Sequence, residues 1–149
     1  TYRHVVEIPG AGRPFTGGLA GLRAFTISGW INVRDTNEGP GGNRVLNFCK
    51  GGGGIDLVWD GAGGGRLKLS VNEWPDGGHP ASAAGSVPVS AAAWPQWRFF
   101  AVSYDADAAD GDDHVRWYLG DSKRAAARDG GASGGSYERG AVADPQLPS

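Results

Sequence analysis

The stretch Phe25-Thr-Ile-Ser-Gly-Trp-Ile-Asn-Val-Arg34 alternates apolar and polar side chains with a period of two. This period is typical of a β-strand with one buried face. One face carries Phe, Ile and Val, whereas the other carries hydroxyl and amide side chains together with Trp30. Trp30 therefore either lies under a loop or is open to stack against a ligand.

The same alternation recurs in Trp97-Arg-Phe-Phe-Ala-Val-Ser-Tyr-Asp105, and segments rich in Gly, Pro, Asp and Asn separate the alternating stretches. This pattern predicts an all-β, antiparallel sandwich or barrel. A helical turn is expected only at Ser122–Arg128, and an extended connection at Val87–Ala93. Strands are predicted at Val5–Ile8, Phe25–Val33, Val45–Cys49, Ile55–Asp60, Arg66–Asn72, Phe99–Tyr104 and Val115–Leu119.

Composition limits the class of protein and of partner. The 149 residues fit one domain, and 27 Gly and 9 Pro suit a fold with many turns. Because 16 acidic and 14 basic residues are scattered along the chain, no nucleic-acid partner is expected. No apolar run approaches the roughly 20 residues that cross a bilayer, so no membrane span is predicted.

Cys49 is the only cysteine, which excludes an intrachain disulfide and a cysteine-rich zinc site. We expect its thiol to be buried and inert, as a small apolar group would be. The chain begins at Thr1 and contains no methionine, so we expect a mature form, an excised module or a fragment.

Six segments, in order, resemble the laminin-G-like, concanavalin A-like lectin/glucanase superfamily in its bacterial LamG form. The resemblance covers roughly Val5 to Asp121 and implies a two-sheet jelly-roll sandwich with one concave face. The segments are Val5-Val-Glu-Ile-Pro9, Phe25-Thr-Ile-Ser-Gly-Trp-Ile31, Val45–Gly51, Gly65-Arg-Leu-Lys-Leu-Ser-Val71, Trp97–Asp105 and Val115-Arg-Trp-Tyr-Leu-Gly120.

The C-terminal part departs from this family pattern, because nothing after Arg128 resembles its closing strand. Residues 1–127 are therefore expected to form the LamG-like sandwich. Residues 128–149, rich in Gly, Ser and Pro, are expected to be a loop or tail that buries little, or a truncated end of the same domain. Other domains or chains are the expected partners that would complete the sheet.

Trp74 is the strongest ligand-contact candidate, in Asn72-Glu-Trp-Pro-Asp-Gly77. Lectins of the family stack sugar rings on exposed aromatics and hold hydroxyl groups with neighbouring acids and amides. Asn72, Glu73 and Asp76 would supply those polar contacts. The alternative is that Trp74 closes over the edge of the sandwich.

The other indoles divide between core and surface. Trp59 and Trp117 share the alternation of apolar neighbours and are expected in the core, as is Trp97, which matches a packing position of the family. Trp94, extended before Pro95, is a further ligand-binding candidate.

Polar side chains that alternate with the core residues form a second group of candidates. Tyr118, with Asp56, Asn72 and Arg116, would line the concave face if the sheets curve toward that side.

The segment Tyr104–His114 contains five Asp residues and suggests two alternatives. Calcium favours several oxygen ligands at one point, so a calcium site is one of them. A solvated hairpin loop is the other, and it is the one we favour. No spacing of His with Asp or Glu suggests zinc, and no nucleophile–base pair is evident.

Hydrolases of this clan carry Glu-x-Asp-x-x-Glu or Glu-x-Asp-x-Glu on one strand, and the chain has no such cluster. We therefore expect no enzyme but a noncatalytic, lectin-like module that binds a glycan or polysaccharide. It would belong to a larger secreted or surface bacterial protein, in an extracellular, periplasmic or cell-surface location. The alternatives are a protein-interaction or architectural module and a truncated glycosidase.

Overall fold

The computed structural model describes residues 19–32, 43–50, 52–60, 66–73, 97–109, 114–129, 137 and 139–144. Seven strands and no helix are found within these ranges, so the all-β prediction is confirmed. The strands are β1 Ala24–Ile31, β2 Asn43–Lys50, β3 Gly53–Asp60, β4 Arg66–Val71, β5 Arg98–Asp105, β6 Val115–Asp121 and β7 Ala127–Arg128.

The strands form two antiparallel sheets. One has four strands in the order β1-β5-β6-β7, and the other has three in the order β2-β3-β4. In the four-stranded sheet, Trp30 lies opposite Phe99, and Ala101 lies opposite Tyr118. Pairing of β1 with β5 joins distant parts of the sequence, since the partners Trp30 and Phe99 are 69 positions apart.

The three-stranded sheet contains a tight hairpin between β2 and β3. Gly54, the second residue of β3, has a φ of 105°, a conformation that favours glycine. A Cβ at this position would also collide with the backbone of Phe48. A bulge between Arg44 and Leu46 shifts the register of β2 against β3.

One apolar cluster joins the two sheets, an arrangement compatible with a β-sandwich. Trp59 and Trp117, with 2% and 1% of their surface exposed, are its largest members, which confirms their prediction as core residues. The other members are Ile55, Leu57, Leu67, Leu69, Val71, Phe100, Val102, Tyr104, Ala106, Val115, Tyr137 and Val142.

The C-terminal segment contributes to this core, unlike a tail that buries little. Tyr137 and Val142 are each 2% exposed. The Val142 N–H donates to Leu22 O at 2.8 Å, and Gly21 N–H donates to Val142 O at 2.7 Å. Two bulky apolar side chains are enough to anchor a Gly-rich segment when backbone hydrogen bonds hold it beside the first strand.

The helical turn predicted at Ser122–Arg128 is wrong. Asp121 Oδ1 accepts hydrogen bonds from the backbone N–H groups of Lys123 and Arg124, both at 2.8 Å. These bonds, first that from Lys123, hold the pKa of the Asp121 carboxyl below its usual range. Together with the bond from Asp121 N–H to Arg124 O at 3.1 Å, they close a turn, after which Ala127 and Arg128 extend and pair with β6 as β7.

The other predicted elements either match the observed strands closely or lie outside the described residues. The observed strands extend one or two residues beyond several predicted ends, and Gly53 and Gly54 belong to β3. The predicted strand Val5–Ile8 and the connection Val87–Ala93 lie outside the described residues. No helix in the described ranges has the length and apolar character that crossing a membrane would require.

Candidate functional site

Asn72 directly follows β4 and joins three segments of the chain. Its φ of 56° is a left-handed conformation that Asn tolerates better than most residues. Its side-chain oxygen accepts from Gly54 N–H at 3.3 Å and Ala143 N–H at 2.8 Å. Its amide nitrogen donates to Arg139 O at 2.9 Å and Ala141 O at 2.8 Å. The amide therefore fastens the C-terminal segment to the β3–β4 hairpin.

Glu73 continues the same connection. It is 8% exposed, accepts a 2.8 Å hydrogen bond from the Tyr137 hydroxyl and pairs with Arg139 at 2.9 Å. The Tyr137 oxygen in turn accepts from Val71 N–H at 3.0 Å. Burial raises the pKa of Tyr137, and the Glu73 carboxylate raises it further, so the phenol keeps its proton. We call Asn72, Glu73, Tyr137 and Arg139 the C-terminal tie.

Tyr104 links this tie to the other sheet. Its hydroxyl donates to Gly140 O at 2.9 Å and accepts from Arg139 N–H at 3.1 Å. Its ring stands edge-on to Tyr137, with 6.4 Å between centroids. The tie therefore spans both sheets, and the two site candidates in it have their side-chain atoms engaged in holding the fold.

Three of the six predicted ligand-binding residues lie within the described part of the chain, and these three do not converge. Trp74, Asp76 and Trp94 lie outside them. Asn72 and Glu73 belong to the C-terminal tie. Tyr118 lies on β6 of the four-stranded sheet, with its side chain partly exposed.

The side of the four-stranded sheet away from the core forms a separate surface, which we call the outer face. Alternation along each strand places its residues in three rows across the sheet. The rows are Trp30-Phe99-Gly120, then Ser28-Ala101-Tyr118-Arg128, then Thr26-Ser103-Arg116.

Aromatic side chains occupy one end of the outer face. Trp30 is 51% exposed and meets Phe99 edge-on, with ring centroids 5.6 Å apart. Trp97, which directly precedes β5 and shares the alternation of Phe99, is 58% exposed. The prediction that Trp97 packs in the core is wrong, because β5 turns Phe100 and Val102 inward instead.

Small residues separate these rings from a second aromatic. Ala101 and Gly120 leave a shallow floor between Trp30 and Tyr118, which are two strands and one row apart. With strands about 4.8 Å apart and about 3.4 Å per residue, their Cα atoms are about 12 Å apart. Ser28, Ser103 and the two arginines add polar groups around this floor.

The acidic segment is only partly described. Asp107 accepts hydrogen bonds from Arg23, and this lowers the pKa of the Asp107 carboxyl. Asp105 Oδ1 accepts from Asp107 N–H at 2.9 Å. Asp110, Asp112 and Asp113 lie outside the described residues, within which no group of three ligating side chains could hold a metal ion.

Asp56 faces away from the core, as predicted, but is fully buried rather than exposed as a lining. Ser70 lies opposite it on β4 and is also fully buried. Arg44 Nε donates to Asp56 Oδ2 at 3.0 Å. Cys49 is buried as predicted, and desolvation first, then the Asp56 charge, raises its thiol pKa to about 11.

Sequence reasoning singled out Trp30 and Tyr118 but missed the surface that joins them. Phe99 and Arg128 were not considered as ligand contacts. The available signal was Phe99, an aromatic residue on the polar side of an alternating strand, the same irregularity that drew attention to Trp30.

Comparisons with family models, with curated proteins and with solved structures found no match to this chain.

Proposed function

We propose that this chain is a noncatalytic carbohydrate-binding module that binds a glycan on its outer face. The observation that carries the proposal is Trp30, half exposed on a sheet face and directly opposite Phe99. A large indole left in water costs hydrophobic free energy that a ligand can recover.

The chemistry of the outer face suits a sugar. The apolar C–H side of a pyranose ring packs against indole or phenol rings, and its hydroxyl groups need directional donors and acceptors. Trp30 and Tyr118 offer such rings on either side of Ala101, while Ser28 and Ser103 offer hydroxyl groups. Two aromatic positions about 12 Å apart would contact a chain of several sugar units rather than a single one.

The finer fold assignment is part of the same proposal. Two antiparallel sheets around one core support a jelly-roll sandwich of the LamG or concanavalin A-like type. That type would imply a module of a larger secreted or surface bacterial protein, as the sequence resemblance suggested.

Absence of catalysis is proposed on the chemistry of the surface. Glycoside hydrolysis normally needs two carboxyl groups flanking the scissile bond. Among the described residues that alternation turns onto the outer face, Asp105 carries the sole carboxyl group. A single acid supports binding rather than cleavage.

Affinity electrophoresis and titration calorimetry with a panel of plant and algal polysaccharides test the proposal. We expect Trp30→Ala to weaken binding by about tenfold or more, because it removes the stacking ring. Leu46→Ala, an exposed apolar residue on the other sheet, is the matched control and should bind as the parent does. Equal binding by the Trp30→Ala variant and the parent would place the ligand elsewhere.

Trp74, Asp76 and Trp94 remain candidates, and Trp74→Ala belongs in the same series. Loss of binding on Trp74→Ala but not on Trp30→Ala would favour the segment after β4 over the outer face.

A protein-interaction module is the second candidate function. Trp, Tyr and Arg are the residue types most enriched in the energetic centres of protein interfaces, and the outer face contains all three. Failure of every glycan to bind, together with a stable protein partner released by Trp30→Ala, would favour this candidate.

A further inference from the structure

The charged side chains of the outer face are unevenly distributed. Arg116 and Arg128 both lie beside Tyr118, since Tyr118 pairs with Arg128 and Arg116 is two residues earlier on the same strand. By alternation, Asp121 falls on the opposite side of β6, and Asp129 directly follows β7. Asp105, beyond Ser103 at the end of β5, has its Oδ1 occupied by Asp107 N–H.

From this distribution we infer that the glycan is acidic and presents a sugar carboxylate, as a uronic acid does, to Arg116 and Arg128 around Tyr118. The inference rests on the proposed function and deepens it by naming the class of sugar. The aromatic end at Trp30 would hold the neighbouring sugar units of the same chain.

The spacing of the two arginines suits one shared anion. Diagonal neighbours on adjacent antiparallel strands have Cα atoms about 7–8 Å apart, within reach of two long side chains that converge on one group.

The chemistry of guanidinium favours a carboxylate. Its planar fork donates two parallel hydrogen bonds to the two oxygens of a carboxylate, and its five N–H groups leave donors for a ligand even when some contact protein. Arg128 is exposed and Arg116 is partly exposed, so both can be reached from solvent.

The net charge of the chain would not attract an acidic glycan. The formal net charge is −2 at pH 7, so a polyanion is repelled by the average charge. Affinity for an acidic polysaccharide would therefore have to arise from local positive charges, such as Arg116 and Arg128 on the outer face.

The test compares polygalacturonate fragments with the same fragments after full methyl esterification, by titration calorimetry on the whole chain. The ester keeps the sugar rings and removes only the charge. We expect the acid to bind about tenfold to a hundredfold more tightly, with affinity that falls as salt is raised.

Variants assign the effect to the two arginines. Arg128→Gln and Arg116→Gln should each remove most of the preference for the acid while leaving the weak binding of the ester unchanged. Arg128→Lys should recover only part of it, because an ammonium group lacks the planar fork. Lys123→Gln, an exposed charge in the turn before β7, is the matched control and should change nothing.

Three outcomes would overturn the inference. Equal binding of acid and ester, with Trp30→Ala still disruptive, would leave the proposed function standing but make the ligand neutral. Dextran sulfate binding as tightly as the uronate, with full recovery by Arg128→Lys, would show plain charge attraction. Failure of every polysaccharide, neutral or acidic, would remove the proposed function itself.

Discussion

The C-terminal tie and the outer face use similar residue types in opposite ways. In the tie, the Asn72 amide and the Tyr137 hydroxyl bond the chain's own backbone, the Glu73 carboxylate pairs with the side chains of Tyr137 and Arg139, and both Glu73 and Tyr137 are buried. On the outer face, Trp30 remains half exposed. The difference teaches that polar residues near a tryptophan can serve the fold, whereas an aromatic on the polar side of an alternating strand points to a ligand surface.

Replacement of Asn72 by Ala should lower the stability of the fold strongly. A small effect would contradict the structural role assigned to the C-terminal tie. The change removes four hydrogen bonds and places Ala at a φ of 56°. We expect the free energy of unfolding to fall by about 2–5 kcal/mol, measured by urea denaturation. A variant as stable as the parent would show that the tie contributes little.

Asn72→Gly is the matched control for backbone strain. Glycine also lacks the amide but accepts positive φ without cost, so it should be about 1 kcal/mol more stable than Asn72→Ala. The remaining deficit relative to the parent measures the lost hydrogen bonds.

Alkaline pH should weaken the fold through Cys49. Its folded pKa is about 11 against an ordinary 9.0, so the unfolded chain loses the thiol proton first as the pH rises. The stability conferred by the protonated thiol is complete below about pH 9 and is lost by about pH 11, a loss of about 2–3 kcal/mol. Urea denaturation across this range checks the slope.

Cys49→Ala separates this effect from other groups that titrate in the same range. The pKa of Tyr137 is also raised, so the parent loses stability from both groups. The variant should show a smaller slope above about pH 9, and an identical slope would exclude the thiol as its source.

Tyr137→Phe tests the buried part of the tie with a smaller change. The ring stays, but Val71 N–H and the Glu73 carboxylate lose their shared hydroxyl partner. We expect a loss of about 1–3 kcal/mol in unfolding free energy and unchanged glycan binding. Loss of binding without loss of stability would instead connect the tie to the ligand surface.

Trp30→Ala should have the smallest effect on stability and so sharpen the contrast. Its exposed ring contributes mainly its contact with Phe99, and we expect a change of less than about 1 kcal/mol. Trp117→Ala, at 1% exposure, is the matched control and should cost about 3–5 kcal/mol. Similar losses in the two variants would mean that Trp30 is a structural residue.

Alternation made the fold class and most of the strands predictable. Period two depends only on local sequence, and it gave the inward faces of β3, β4 and β6 correctly, including Trp59 and Trp117 among the core residues. The prediction for Trp97 failed because it relied on a packing position of the family. The alternation that Trp97 shares with Phe99 would have placed it on the outer face.

The C-terminal tie could not be predicted, because its contacts join residues distant in sequence. Nothing local in Asn72-Glu73 distinguishes a partner for Arg139 from a ligand contact. The prediction of a helical turn after β6 failed for a related reason: the Ala-rich composition favours a helix, but Ala127 and Arg128 pair with β6, and this pairing is not encoded in the local sequence.

The backbone pairing of Val142 with Gly21 and Leu22 sets an order for folding. These bonds close a loop of about 120 residues, since Gly21 N–H donates to Val142 O. Contacts between such distant positions raise the contact order and slow the search for the native state. During synthesis the backbone groups of Gly21 and Leu22 cannot make these bonds until the segment around Val142 has emerged.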